Sequence, residues 1–320
     1  MSLRIGILGA ARVAVYAMIA AAKDVENVEV SAVASRDPER AKAYAETHGI
    51  PLTFDSYEAM IASDDVDAIY NALPPNLHAR WSIAALEAGK PVLCEKPFAL
   101  NVADVEAMLA AEARTGLFLM EAQHTYYHPR HARIREIVQG REIGNIRHIS
   151  ARFDVPIPET ADELRWDGAV GGGALWDLGV YPLFWLRAAM GEEPCLISAS
   201  HRLNDRGADI ETEAVFDFAS GATGSITCSM ERKFAAWLNV EGEAGSLFVD
   251  NPLSPAEQKI TLEKSGAATE ELFTGRPSYS FQLEAFRDAV TGGRSVYTRG
   301  ADSLKTIQIL SDIRALAMER

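Results

Sequence analysis

The stretch LRIGILGAARVA, residues 3–14, decides the fold. Leu3 to Leu8 form an apolar run that is typical of a strand buried on both faces. A helical pattern follows Gly9, and dinucleotide-binding domains place a glycine-rich turn at this point, with helix N–H groups directed at the pyrophosphate. Ala11 and Ala14 stand where the G-x-G-x-x-G pattern has its other glycines, so a tight turn in an unrelated α/β protein explains this motif equally well.

The alternation of strand and helix continues through the first third of the chain. Further strands are predicted at 28–34, 68–73, 91–95 and 117–122. One helix begins with Asp37 as its N-cap and Pro38 in its first turn, and others are predicted at 77–88 and 102–114. This pattern predicts a doubly wound parallel sheet with helices on its faces.

The pattern changes after about residue 125. A basic helical run at 129–139 precedes a series of strands with few helices between them, predicted at 146–155, 211–220, 223–232 and 238–250. Apolar residues at helical spacing predict a last helix over 304–317. We therefore predict an α/β protein with a cofactor-binding Rossmann domain at 1–124. An α+β domain at 125–320, with a large, mostly antiparallel open sheet, would serve substrate binding and oligomerisation, and the prediction leaves open whether the last helix packs against the first domain.

Composition narrows the classes of function. The chain has 320 residues, 48% of them hydrophobic and 24% charged, which is typical of folded proteins and excludes a disordered chain. Its formal net charge of −14 disfavours nucleic acid and anionic membranes as partners, and no apolar segment approaches the length of a membrane span. Three cysteines without a CxxC pair indicate a reduced, cytoplasmic chain. We expect a small-molecule substrate.

The end of the second strand indicates which dinucleotide binds. An acidic residue at this place usually holds the ribose hydroxyls of NAD, whereas a 2′-phosphate needs small polar and cationic groups. The chain has Ser35 and Arg36 here, with Arg40 one helical turn further and Arg12 across the glycine turn. This favours NADP over NAD. The alternative is that Arg36 and Arg40 are solvated surface charges.

Three further motifs make the assignment specific: NALPPNLH at 71–78, CEKP at 94–97 and GGGALWDLGVYP at 171–182. With GAARVA and ASRDPERA, and in this order, they make the chain resemble the Gfo/Idh/MocA family of NAD(P)-dependent oxidoreductases over nearly its whole length. Within that family it is most similar to the branch of dimeric dihydrodiol dehydrogenases, NADP-dependent xylose dehydrogenases and glucose-fructose oxidoreductase. Many members have histidine where this chain has Tyr181.

The resemblance implies an enzyme that oxidises or reduces a sugar, polyol or dihydrodiol. It implies a cofactor-binding set of Gly9, Ala10, Ala11, Arg12, Val13, Ser35, Arg36, Arg40, Leu73, Pro74, Asn76, His78, Glu95 and Lys96. The segment after Glu121-Ala122 resembles the family's substrate-facing stretch, although its residues differ. The expected substrate-binding residues are His124, Tyr126, Trp166, Asp177 and Tyr181.

The chemistry of the groups assigns the catalytic roles. Moving a hydride from an alcohol carbon to nicotinamide requires that the hydroxyl proton also leave, so a base must lie within hydrogen-bond reach. A neighbouring ammonium favours the phenolate form of a tyrosine, so Lys96 as the cation and Tyr181 as the base make a consistent pair. Asp177 is expected to hold Lys96 or a substrate hydroxyl, and its alternative role is that of a carboxylate at a helix start.

Other interpretations remain open. Glu121, His124, His128 and His131 have spacings that could mimic a metal site, but Pro129 interrupts the run, and we expect no metal. Two other functions compete with the dehydrogenase: glycoside cleavage assisted by tightly held NAD, and a cofactor-binding regulatory protein without catalysis. A broad sheet in the second domain needs a cover, so we expect a homodimer or a homotetramer formed through it.

Overall fold

The computed structural model describes residues 2–160, 163–254, 258–273 and 275–318. The chain divides into two compact units. The first unit comprises Met1–His124 and Arg276–Ile307, and the second comprises Thr125–Gly275 and Gln308–Arg320. The first unit thus contains a C-terminal segment that the sequence-based division at residue 124 did not include.

The first unit contains a parallel sheet of six strands in the order β3-β2-β1-β4-β5-β6. Its strands are β1 (Leu3–Leu8), β2 (Val28–Ala34), β3 (Leu52–Phe54), β4 (Ala68–Asn71), β5 (Val92–Cys94) and β6 (Leu119–Glu121). The predicted doubly wound sheet is confirmed, and β3 was not predicted. β1 lies between β2 and β4, so the order of the strands changes direction at β1. In sheets of this type, ligands bind outside the carboxyl ends of the strands at such a point.

Helices connect these strands. They are α1 (Arg12–Ala14), α2 (Ala21–Asp24), α3 (Pro38–His48), α4 (Tyr57–Ile61), α5 (His78–Glu87) and α6 (Val102–Thr115), with α9 (Ser278–Gly292) in the C-terminal segment. A π-helical segment at Val15–Ala20 joins α1 to α2. The Asp37 carboxylate accepts hydrogen bonds from the backbone N–H groups of Glu39 and Arg40, so the predicted N-cap is confirmed.

The second unit contains a sheet of eight strands in the order β14-β13-β12-β11-β7-β10-β9-β8. These strands are β7 (Ile146–Asp154), β8 (Cys195–Leu203), β9 (Asp209–Asp217), β10 (Thr223–Ser229), β11 (Ala235–Gly242), β12 (Gly245–Asp250), β13 (Gln258–Lys264) and β14 (Ala267–Phe273). Only the pair of β7 and β10 is parallel among the described strand pairs of this sheet. The predicted large, mostly antiparallel sheet is confirmed.

Two helices of the second unit flank this sheet, α7 (Pro129–Gln139) and α8 (Val180–Met190). Every residue of α8 is buried, because the helix packs on β7 and β10 with an almost wholly apolar sequence. The predicted last helix is α10 (Gly300–Met318), in which Ile307, Leu310 and Ile313 are buried. Within the described residues, no helix combines the length and the apolar character that crossing a membrane requires.

Candidate active site

The glycine turn lies at the carboxyl end of β1. Gly9 has a φ of +94°, which favours glycine, and its N–H donates to the Ala34 carbonyl at 2.8 Å. A Cβ atom on Gly9 would meet Leu73 Cδ2 at 3.1 Å and the Ala72 carbonyl oxygen at 3.4 Å. The turn is therefore packed against the end of β2 and the loop after β4, and a larger residue would push these apart.

Side chains of α3 brace the turn. Arg40 Nη2 donates to the Ala10 carbonyl at 3.0 Å, and the Tyr44 hydroxyl donates to the Ala11 carbonyl at 2.9 Å. Burial raises the pKa of Tyr44 to about 12, so its hydroxyl stays protonated. Ala11 is the N-cap of α1 and offers no side-chain acceptor to the helix N–H groups. The Ala10 and Ala11 carbonyls of the turn are thus hydrogen-bonded to α3, whereas the N–H groups at the start of α1 are suited to a phosphate.

The end of β2 lies beside this turn. Ser35 is buried and its Oγ accepts from the Asp37 N–H at 3.4 Å, whereas the Arg36 side chain is exposed. The Asp37 carboxylate is engaged at the start of α3, as described above. Ser35, Arg36 and Arg40 are thereby brought to the same edge of the sheet as Gly9.

The loop after β4 carries a buried polar pair. Asn71 donates through its amide to the His78 carbonyl at 3.2 Å and to Ser82 Oγ at 3.1 Å. The His78 ring is fully buried, with Nδ1 2.9 Å from the Pro97 carbonyl and Nε2 2.7 Å from the Leu73 carbonyl. The pKa of His78 is lowered to about 4, chiefly by burial, with the nearby Lys96 charge acting in the same direction. His78 therefore lies between two loops of the sheet edge, whereas Pro74 and Asn76 are exposed.

The loop after β5 presents Lys96. In this loop, the Glu95 carboxylate accepts hydrogen bonds from the Tyr70 hydroxyl at 2.5 Å and from the Lys96 N–H at 3.2 Å. Burial, followed by the charge of Glu95, raises the pKa of Tyr70 well above its ordinary value. The Lys96–Pro97 peptide bond is cis. The hydrogen bond from Tyr70 thus orients the Glu95 carboxylate. This contact was not predicted, because Tyr70 lies in a buried apolar strand that gives no sign of a polar role.

His124 ends the N-terminal part of the first unit. Its Nδ1 lies 2.7 Å from Ser278 Oγ, and its ring stacks on Tyr279 with the ring centroids 4.0 Å apart. Tyr279 in turn contacts the exposed ring of Tyr16, which follows the glycine turn, at 5.3 Å between centroids. No sequence motif links residues so far apart, and neither tyrosine was predicted. In the second unit, the Arg135 guanidinium lies over the Tyr126 ring, 4.1 Å from its centroid.

The second unit holds Asp177 in a π-helical segment, Leu175–Gly179. Arg165 Nη1 donates to Asp177 Oδ2 at 3.4 Å and also pairs with Glu163 through two hydrogen bonds of 2.8 and 2.9 Å. Arg165 was not predicted. It gives Asp177 a cationic partner within the second unit.

A buried carboxylate fixes the start of the same segment. Asp209 Oδ2 accepts from the Leu175 N–H at 2.7 Å and from the Thr212 hydroxyl at 2.8 Å. Burial raises the pKa of Asp209 to about 6. Asp209 is the first residue of β9, two positions before the predicted strand, and the sequence offered no sign of this contact.

Tyr181 lies at the start of α8 and is 9% exposed. Its ring meets the Phe153 ring edge-on, with centroids 5.5 Å apart, and Trp185 lies at 6.1 Å. Trp166 is buried, and its indole N–H has no hydrogen-bond acceptor in the part of the chain that the structure describes. A buried donor of this kind usually has a partner, so Trp166 is suited to a ligand.

Among the described residues, no group of three or more His, Cys, Asp or Glu side chains is arranged to hold a metal ion. His128 instead accepts from the Arg130 N–H at the start of α7, and burial lowers the pKa of His128 to about 4.

The fold and the glycine turn at the reversal of strand order define a two-unit protein with a dinucleotide-binding unit. The oxidoreductase family model GFO_IDH_MocA, with an NAD-binding Rossmann fold, matches residues 3–123. The GFO/IDH/MocA C-terminal domain model matches residues 131–248. The chain belongs to the GFO/IDH/MocA family of oxidoreductases, which confirms the predicted resemblance.

Individual relatives agree with the predicted branch. D-xylose 1-dehydrogenase (NADP(+)) 2 of Haloferax volcanii is 33% identical over 316 residues, covering 97% of this chain and 95% of the relative. Trans-1,2-dihydrobenzene-1,2-diol dehydrogenase of Bos taurus is 32% identical over 273 residues, covering 83% and 81%.

Among solved structures, the 3-ketoreductase KijD10 of Actinomadura kijaniata, in complex with NADP and TDP-benzene, superposes with a TM-score of 0.92. It is 30% identical, and the match covers 99% of this chain and 98% of KijD10. Solved variants of KijD10 include one tyrosine-to-phenylalanine change and changes of one lysine to alanine or glutamate.

Proposed function

We propose that the chain is an NADP-dependent oxidoreductase acting on a secondary alcohol or carbonyl of a sugar, polyol or dihydrodiol. The observation that carries the proposal is the packing of the Gly9 turn against the end of β2, where Ser35 and Arg36 stand in place of an acidic residue. A Cβ atom on Gly9 would press on Leu73 and the Ala72 carbonyl, and a glycine turn of this kind at the end of the first strand is where a dinucleotide's pyrophosphate approaches the backbone.

The proposed cofactor site uses three kinds of group. The backbone of residues 9–13 and the start of α1 would bind the pyrophosphate. Ser35, Arg36 and Arg40, with Arg12, would bind the 2′-phosphate, since a guanidinium forms charged hydrogen bonds with phosphate oxygens. Leu73, Pro74 and Asn76 would line the cofactor on the side of β4, and His78 would hold their loop.

Bound NADP supplies the acceptor or donor of the hydride. We assign Lys96 the role of a cation that stabilises negative charge on the substrate oxygen, and Tyr181 the transfer of the hydroxyl proton. Glu95 would fix the backbone at Lys96. Support for the pair comes from KijD10, in which one lysine and one tyrosine were chosen for substitution.

The proposed substrate residues are His124, Tyr126, Trp166 and Asp177, in addition to Tyr181. The Trp166 indole N–H is a buried donor without an acceptor among the described residues, which suits the hydroxyl or phosphate oxygen of a substrate. The Asp177 carboxylate, oriented by Arg165, would accept a hydrogen bond from a substrate hydroxyl.

Assembly into a homodimer or homotetramer through the large sheet is also proposed. Ile197, Val215 and Phe248 are exposed apolar side chains on strands of this sheet, and the register across β9, β10, β7, β11 and β12 places Val215 and Phe248 on the same face. A second copy of the same sheet would cover them.

Two measurements test the proposed function. Titration of the purified protein with NADPH and NADH should show tighter binding of NADPH. Turnover with a panel of sugars, polyols and dihydrodiols should show oxidation with NADP or reduction with NADPH. Equal or tighter binding of NADH would contradict the cofactor assignment. NADPH binding without turnover on any of these substrates would favour a regulatory protein.

A further inference from the structure

Buried side chains from other parts of the first unit hold the backbone just after Lys96. The Pro97 carbonyl faces His78 Nδ1 at 2.9 Å, and the Phe98 N–H donates to Glu121 Oε1 at 3.1 Å. Phe98 and Glu121 are both fully buried. Water therefore cannot replace Glu121 as the acceptor for the Phe98 N–H, and losing this hydrogen bond would leave a buried donor unpaired.

Glu121 is itself firmly anchored. Its Oε2 accepts from the Ser303 hydroxyl at 2.7 Å, and its Oε1 also accepts from Gln123 Nε2 at 3.2 Å. The Glu121 backbone forms two hydrogen bonds with Thr298, each of 2.9 Å. The Glu121 carboxylate therefore links the loop of Lys96 to β6 and to the start of α10, and these contacts hold the loop in place.

We propose that Glu121 is a positioning residue that sets the place of the Lys96 ammonium by binding the Phe98 N–H two residues further along. This inference rests on the proposed role of Lys96. A short loop that ends in a fixed hydrogen bond leaves little freedom to the residue two positions earlier. Small displacements of a catalytic group can reduce turnover by up to about 10²-fold, so the anchor matters for rate more than for cofactor binding.

The test compares three variants of the full-length protein. Glu121→Leu removes the acceptor of the Phe98 N–H. Glu121→Gln retains an oxygen for Phe98 and places an amide where it can donate to Ser303. Glu112→Leu is the matched control, because Glu112 Oε1 accepts from the Leu119 N–H at 3.3 Å and from Arg299 at 2.6 Å, at the opposite end of β6. The assays are kcat, KM, NADPH affinity and thermal stability.

Glu121→Leu should lower kcat at least tenfold while the dissociation constant for NADPH changes less than threefold. Glu121→Gln should retain kcat within threefold, and Glu112→Leu should lose stability without losing kcat. Equal kcat losses in Glu121→Leu and Glu112→Leu, or an unchanged kcat in Glu121→Leu, would overturn the inference.

If Glu121→Leu does not fold, Ser303→Ala tests the positioning role of Glu121 instead. It removes one anchor of the carboxylate and should lower kcat about threefold to tenfold, as expected for one hydrogen bond. An unchanged kcat in Ser303→Ala would then overturn the inference. Lys96→Met separates this inference from the proposed function. Full activity in Lys96→Met would refute the role of Lys96 itself, whereas an inactive Lys96→Met beside a fully active Glu121→Leu would refute only the role of Glu121.

Discussion

Replacing Glu121 with Gln should change how the stability of the protein depends on pH. The pKa of Glu121 is raised from 4.5 to about 7, chiefly by burial and also by the charge of Asp302, while the hydrogen bonds from Ser303, Gln123 and Phe98 oppose the rise. In the folded protein this carboxyl therefore binds its proton more tightly than in the unfolded chain. Between pH 4.5 and about 7, the folded state holds the extra proton, and the free energy of unfolding falls as pH rises.

The size of this effect follows from the same pKa. A rise from 4.5 to about 7 corresponds to a loss of about 3 kcal/mol of unfolding free energy when Glu121 ionises. The Gln side chain keeps the shape and most of the hydrogen bonds but cannot ionise. The stability of Glu121→Gln relative to the parent protein should therefore increase by about 2.5 kcal/mol from pH 5 to pH 8. For a chain of 320 residues this corresponds to about 4 °C in Tm.

Thermal or urea unfolding of both proteins from pH 5 to pH 8 measures this difference. Other groups, such as His78 and His128, titrate in both proteins, so their effects cancel in the comparison. Glu112→Gln controls for the loss of a carboxylate that pairs with Arg299 in the same unit. A stability difference between Glu121→Gln and the parent that stays constant across this pH range would refute the reasoning.

Three further predictions address the cofactor, the second unit and assembly. Arg36→Ala should reduce the preference for NADP(H) over NAD(H) by about one to two decades, since one charged hydrogen bond contributes about 1.5–3 kcal/mol, and titration that finds the preference intact would refute this role. Asp209→Ala leaves the buried Leu175 N–H unpaired and should lower the unfolding free energy by about 1–3 kcal/mol. Asp209→Asn keeps an acceptor and should lose less unfolding free energy. Equal losses of the two variants in urea unfolding would argue against this contact. Light scattering at micromolar concentration should find a dimer or tetramer, and a monomer would refute the proposed sheet interface.

The order of elements could be predicted from the sequence where hydrophobic patterns were long. Leu3–Leu8 and Val28–Ala34 are confirmed residue for residue, and α7 begins and ends as the run 129–139 predicted. Shorter elements such as Leu52–Phe54 were missed, because three residues give no period to detect. The two π-helical segments, Val15–Ala20 and Leu175–Gly179, also carry no sequence signature.

Contacts between distant parts of the chain limited the prediction of the site. The motifs indicated Gly9, Ser35 and Lys96 because each follows a strand of the parallel sheet. By contrast, His124 contacts Ser278, which lies 154 positions further along the chain, and neither segment carries a motif that predicts this contact. The sequence analysis named Glu121 in a spacing that could mimic a metal site and before the substrate-facing stretch. Its contacts with Phe98 and Ser303 depend on burial, which periodicity does not reveal.

The chemistry assigned to Lys96 and Tyr181 is tested most directly by turnover and cofactor affinity in the same variants. Lys96→Met and Tyr181→Phe should each lower kcat to about one hundredth or less, since positioned acid–base groups contribute about 10²–10⁴-fold. NADP affinity should change only a few-fold, because its phosphates are held at the Gly9 turn. The double variant should lose much less than the product of the single losses. Full activity of Tyr181→Phe with an unchanged pH profile of kcat/KM would contradict the account, since Tyr181 would then be a packing residue.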